Sequence, residues 1–564
     1  MKKLLSVCLV LIMILSVFSI TASAEPIVAV GYYDVRVDDV YYIVYEDEGA
    51  YVVGYDIDDF DPNGALTIPQ SITYDGTNYT VVGIETEAFY QSTYTQITLP
   101  STITYMGDAA FMSCDYLEKV IIPDNCYFEY FGTSVFIGTP FEAEIYSKDV
   151  TIFGQNVLYS YIGNADEYVI PDNIDLMADT CFFMSGVKNV VLNDNITEIP
   201  DFAFASCRNL TDVVIPDSVE TIGFGAFRDC TSLETITLGE GVAYLGEECF
   251  SNTKIKTIHL GANVHSISGA FKDCKTLESI TVDEENKFYK TDENAVYFDA
   301  KRYYEDLLGS SYEDLFDSLL GDYELGYYLE YYYPSKAQGT VTLIPEVTFI
   351  SSFAFYGCNN IKEVVAGSIE IGDRAFVGSS IEKITATDVL YVWDSAFRNC
   401  KNLTDIDLSA TTYIGTGAFE NCTALTEVSF AEDVNTIGSL AFSNTGLTEV
   451  TIYGEDCSIG ESAFKGCKNL KKVTLSDGVY DVGTNAFLDC PKLETVYLSK
   501  TIEEFADNAL NGCENVKFEV IKGTDGYRLV KNLGYDFEVV GNVSIFQRIL
   551  DFFTGIFEVL FGWI

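Results

Sequence analysis

The stretch from Ile414 to Phe430, IGTGAFENCTALTEVSF, returns along the chain with its skeleton intact, and that recurrence constrains the fold more than any other feature. The skeleton is I-G-x-x-A-F-x-x-C-x-x-L-x-x-V-x-ϕ, where ϕ is apolar. It reappears as IGFGAFRDCTSLETITL from Ile222, IGESAFKGCKNLKKVTL from Ile459 and, one residue altered, VGTNAFLDCPKLETVYL from Val482. Phe anchors stand at 89, 111, 182, 204, 227, 250 and 271, and again at 355, 376, 397, 419, 442, 464 and 487, with Leu510 in the last place. Within each run the spacing is 21 to 23 residues, apart from the gap between Phe111 and Phe182, where Phe136 marks a degenerate copy. A unit this short cannot bury its own apolar face, so neighbours must stack.

The repeat assigns a role to each segment of a coil. Segments such as Val213–Ile215, Ile236–Leu238 and Val450–Ile452 read as short strands with the first and third side chains inward. The I-G pair reverses the chain, and A-F-x-x is expected to begin a single helical or 3-10 turn opposite. Ala is small where Phe is large, so one fills the space the other leaves. About 16 coils are expected, β-rich, with short parallel strands on one face and β-hairpin insertions.

The sequence divides around this array. Residues 1–24 read as a signal peptide, with Lys2 and Lys3 ahead of an apolar run and Ala22-Ser23-Ala24 as the cleavage site. Residues 25–85 read as an N-terminal β cap, 86–282 as repeats with an inserted hairpin near 141–170, and 283–342 as an acidic insertion. Tyr327, Tyr328, Tyr331, Tyr332 and Tyr333 cluster in that insertion. Repeats resume over 343–514, a C-terminal cap spans 515–541, and 542–564 form an amphipathic helix. On a helical wheel Ser544, Gln547, Arg548, Asp551, Thr554, Gly555, Glu558 and Gly562 share one arc. That ordered polar stripe and its charges argue against a membrane span. Docking on the solenoid, self-association and membrane-surface contact through 544–564 all stay open.

A formal charge of −52 repels a phosphate backbone, which excludes nucleic acid as a partner and favours a basic one, steered electrostatically. Asp56, Asp58, Asp59 and Asp61 crowd one loop, but the spacing lacks the mid-loop Gly and distal Glu of a calcium loop, so a solvated acidic turn is expected. No C-x-x-C, H-x-x-x-H, G-x-S-x-G or phosphate-binding glycine loop occurs, and no catalytic, cofactor or metal residues are assigned. Ten cysteines, Cys114, Cys207, Cys230, Cys274, Cys358, Cys400, Cys422, Cys467, Cys490 and Cys513, share the slot three residues after the anchor. Thr253 and Thr445 hold that slot elsewhere, which suits a small buried thiol better than a disulfide.

These motifs make the chain resemble the BspA-like leucine-rich repeat family over about residues 60–540. The resemblance implies a curved right-handed leucine-rich repeat solenoid, secreted or on a bacterial surface. It also implies binding to host matrix proteins or other cells, without catalysis. The 283–342 insertion, the degenerate 112–180 region and the amphipathic tail depart from the pattern. Binding is expected along the outward mid-strand row, chiefly Thr237, His259, Thr281, Thr385, Asp407, Ser429, Thr451, Thr474 and Tyr497, which Thr98, Val214 and Val365 continue. An extracellular protein or glycan ligand suits such a face better than a small molecule. Adhesion is the expected role, and a passive spacer of the cell envelope is the alternative.

Overall fold

The computed structural model describes residues 32–45, 49–55, 64–308, 325–454, 456–514 and 516–542. The expected signal segment, the loop holding Asp56 to Asp61, the acidic centre of the insertion and the expected amphipathic helix lie outside the described residues. Two compact units are present: Met1–Phe288 with Arg302–Glu324, and Tyr289–Lys301 with Leu325–Ile564.

Each unit is a leucine-rich repeat solenoid. In the first, Glu167–Val169, Asn189–Val191, Asp212–Val214 and Thr235–Thr237 pair in parallel, coil upon coil. In the second, Glu449–Ile452, Lys472–Leu475, Thr495–Leu498, Lys517–Lys522 and Asp536–Asn542 do the same. In Asp212–Val214 and Thr235–Thr237 the central residue, Val213 or Ile236, points inward and is buried while its neighbours face solvent, and in Glu449–Ile452 the second and fourth residues are buried.

A second parallel ladder, not anticipated from the sequence, runs through the residues just before the I-G turn. Glu198–Ile199, Thr221–Ile222 and Tyr244–Leu245 form it in the first unit. Tyr413–Ile414, Thr436–Ile437 and Cys457–Ile459 form it in the second. The turn glycine follows from this stacking. A Cβ on Gly438 would stand 2.7 Å from Gly415 C and 2.7 Å from Thr416 N, because the preceding coil's backbone passes directly beneath.

The expected helical or 3-10 turn at A-F is not formed; the segment is a run of tight turns. Gly417 (φ +62°) and Asn421 (φ +64°) bracket Ala418 to Glu420 in the left-handed region, so a right-handed helix cannot propagate through them. The amides freed in this way bond to the next coil. Phe419 N donates to Ala441 O at 2.7 Å, Phe442 N to Ala463 O at 2.7 Å, and Phe464 N to Ala486 O at 2.7 Å. The turns thus make a third ladder of hydrogen bonds between coils.

Inside, the anchor rings stack. From Phe355 through Phe376, Phe397, Phe419, Phe442 and Phe464 to Phe487, centroids lie 4.7 to 5.4 Å apart with planes within 10°. Among the described residues about 20 turns are present rather than about 16. Two of the added turns keep the ring and lose the motif, with Tyr55 stacked on Phe89 at 6.0 Å and Tyr332 on Phe355 at 5.1 Å; the degenerate copy already marked by Phe136 stacks on Phe111 at 5.5 Å. Any aromatic of the right size fills the slot, so the fold tolerates coils that a motif search passes over.

The shared cysteine slot has a structural explanation. Each thiol donates across one coil to an anchor carbonyl: Cys114 Sγ to Phe89 O at 2.9 Å, Cys230 to Phe204 O at 3.0 Å, Cys400 to Phe376 O at 2.9 Å and Cys422 to Phe397 O at 3.1 Å. Thirteen of the fourteen described cysteines are buried, Cys513 is half-buried, and no disulfide joins any two of them. Burial pushes the Cys400 thiol up to about 12 and the Cys207 thiol up to about 11.

Candidate binding surface

The outward row lands where the strand periodicity places it, one residue per coil. Thr237, His259 and Thr281 are exposed in the first unit, and His259 and Thr281 are cross-strand partners. In the second unit Thr385, Asp407 and Ser429 are exposed, and Thr451, Thr474 and Tyr497 are half-buried and in register. Several of these side chains already have local bonds. His259 Nδ1 lies 3.0 Å from Thr281 Oγ1, Thr385 Oγ1 donates to Glu363 Oε1 at 2.7 Å, and Asp407 Oδ1 accepts from Ser409 N at 2.9 Å. The row is therefore two sets of positions, one on each unit.

The structure adds two members that the sequence reading missed. Val169, Val191 and Val214 are partners on three consecutive strands, with Thr237 next in line. Their exposures are 56%, 41% and 66%, a contiguous apolar stripe on a sheet face. The signal was present in the sequence as the middle residues of YVI, VVL and VVI. Val169 stands inside the degenerate region, where the repeat motif assigns no coil, and Val191 just beyond it, in the coil anchored by Phe182.

Carboxylates border the stripe on both sides. Asp172, Asp194, Asp217 and Glu240 follow the four strands on successive coils, all exposed. Glu167, Asp212 and Glu234 lie at or just before the strand starts, also exposed. Lys188 is a nearby cation, and it is held by Asp166 at 2.5 Å. The stripe thus combines an apolar centre with two acidic margins.

Across the same unit, on the second ladder, burial and the carboxylates of Asp201, Glu198 and Asp108 push Asp179 from its ordinary 3.8 to about 7. Glu198 and Asp201 are themselves shifted up, first by burial. The folded value lies above the unfolded one, so between about pH 4 and pH 7 the native unit holds a proton that the unfolded chain has lost. Stability is fully favoured below that window, falls as the pH rises through it, and is level above. Thermal unfolding of the first unit is expected to move upward on going from pH 7.5 to pH 5. Asp179→Asn should raise the pH 7.5 value and flatten the pH dependence; a midpoint that falls steadily from pH 7.5 to 5 contradicts this account.

Among the described residues, no group of three or more His, Cys, Asp or Glu is placed to hold a metal, and no helix is long and apolar enough to cross a membrane.

Stacked short coils, aromatic anchors and outward strand ladders define a leucine-rich repeat solenoid. The chain belongs to the BspA-type leucine-rich repeat family, whose model matches residues 82–211, 197–298, 330–412 and 391–517, more than half of the sequence. No curated protein matches the chain. Among solved structures it is similar to a leucine-rich cell surface protein from Faecalibacterium prausnitzii, at 21% identity over 92% of this chain and 100% of that one, TM-score 0.32. A leucine-rich repeat protein from Eubacterium ventriosum is similar at 18% identity over 86% and 95%, TM-score 0.39. The pneumococcal vaccine antigen PcpA is similar at 17% identity over 90% and 98%, TM-score 0.33.

Proposed function

We propose that this protein is a secreted or cell-surface module that binds another protein through its outward strand ladder, in an adhesive role. The observation that carries this reading is the Val169–Val191–Val214 stripe between its two acidic margins. Exposed apolar surface of this kind costs solubility unless a partner covers it. The partner that fits is a protein segment with an apolar spine flanked by Lys and Arg. Apolar contact supplies the affinity, and the acidic margins speed encounter and fix register. Membership of the BspA-type leucine-rich repeat family supports a protein-binding reading.

Immobilised protein incubated with extracellular matrix proteins, mucin and whole cells tests it. A retained partner should be released by salt, since the margins act through screened charges. Val191→Asp should weaken retention about tenfold or more, because it puts a charge at the apolar centre. The side chain faces solvent, so thermal unfolding should stay close to that of the parent. Retention of nothing at low salt would sink the adhesive reading and leave a passive spacer; undiminished binding by the variant would move the site off this stripe.

A further inference from the structure

The cysteine slot is occupied in consecutive coils at the end of the second unit, and there it reaches the surface. Cys490 Sγ donates to Phe464 O at 3.2 Å and Cys513 Sγ to Phe487 O at 3.0 Å, so the two thiols hold equivalent places one coil apart. Their coils are locked in parallel register by the pairs Thr495↔Lys517 and Val496↔Phe518. Neighbouring strands are spaced by roughly 4.8 Å. That falls inside the range of about 4.4–6.8 Å between Cα atoms that a disulfide accepts. How close side chains in this slot come is visible where Ser or Thr precedes Cys. Ser92 Oγ lies 3.3 Å from Cys114 Sγ, Ser185 Oγ 3.3 Å from Cys207 Sγ, and Thr445 Oγ1 3.2 Å from Cys467 Sγ.

Three other thiol pairs share this geometry, Cys207 with Cys230, Cys400 with Cys422 and Cys467 with Cys490, but every thiol in them is at 0% exposure. Of the fourteen described cysteines only Cys513 is not fully buried. We propose that Cys513 is an oxidation site for peroxides, with Cys490 as its resolving partner, and that the product is a disulfide linking the last two coils. In the first step the Cys513 thiolate attacks hydrogen peroxide. The O–O bond breaks, one oxygen stays on sulfur as a sulfenic acid, and hydroxide leaves. In the second step the Cys490 thiol attacks that sulfur, the S–S bond forms, and the oxygen departs as water with the thiol proton. One peroxide is consumed and two thiols are oxidised, with nothing left unbalanced. The adjacent Cys490 lowers the Cys513 thiol below its ordinary value and does the same to Cys467 on its other side, but of these three only Cys513 is reached by solvent.

The test uses the full chain, reduced and then exposed to hydrogen peroxide, with thiols counted after unfolding and peptides mapped by mass spectrometry. Two thiols should be lost per chain, with a cross-linked peptide joining 490 to 513. In Cys490→Ser the Cys513 sulfenic acid should persist and react with dimedone. In Cys513→Ser the remaining thiols should survive the same dose, and Cys400→Ser should behave like the parent. Oxidation spread evenly over the slots, over-oxidised Cys513 without a cross-link, or no thiol loss would each overturn the proposal.

Discussion

Replacing Phe419 by alanine is expected to cost about 3–5 kcal/mol, the usual penalty for emptying a large aromatic site that cannot collapse. Phe419 is fully buried, and its ring is stacked between Phe397 at 5.3 Å and Phe442 at 5.0 Å. Collapse is resisted because the anchors above and below are tied by their own hydrogen bonds, Phe397 N to Ala418 O at 2.8 Å and Phe442 N to Ala463 O at 2.7 Å. Contacts in a solenoid run between neighbours, so the loss should centre on three coils. Hydrogen exchange at the Phe397, Phe419 and Phe442 amides should accelerate, and the urea midpoint of the second unit should fall. Unchanged values would mean that the anchor ladder is not the core of the array.

Gly438→Ala is the second large effect, and it has the opposite cause. The added methyl would meet Gly415 C and Thr416 N at 2.7 Å, both backbone atoms with no rotamer to yield. Overpacking of this sort costs about 1–3 kcal/mol when the surroundings can shift. Here any shift must push adjacent coils away from each other and stretch the Gly438 N to Ile414 O bond, now 2.8 Å, so the upper end is expected. Gly339→Ala is the control, since nothing lies within 4 Å of its Cβ position and only its φ of +63° opposes the change. If Gly438→Ala unfolds at the parent's temperature, the close approach of the coils at this turn is wrong.

Much of the coil could be read from its letters. The inward Phe, Ala, Leu and Val positions and the outward strand row follow from period and residue size, and the structure puts Phe419 in and Ser429 out as that reading requires. The turn conformation was misread because A-F-x-x carries good helix formers, while the bracketing left-handed residues, Gly417 and Asn421, show their effect only in backbone angles. The second ladder was missed because it is two residues long, below the length at which alternation is recognisable.

The candidate surface shows the same division. His259, Thr281 and the other row members could be named from the strand pattern alone. The apolar stripe could not, because Val169, Val191 and Val214 become neighbours only when the degenerate coils take their places in the stack. The gathering of Asp179, Asp201 and Glu198, which raises the Asp179 carboxyl, depends on the same stacking.

The sequence by itself determined the repeating unit, its core residues and its family, because each of these is encoded within one coil by spacing and side-chain volume. The tertiary structure alone decided which residues of different coils meet: thiol with anchor carbonyl, valine with valine, carboxylate with carboxylate. Those meetings depend on coil lengths summed along the chain, and a change of one residue in a turn is absorbed without trace in the motif while it resets which side chains lie side by side.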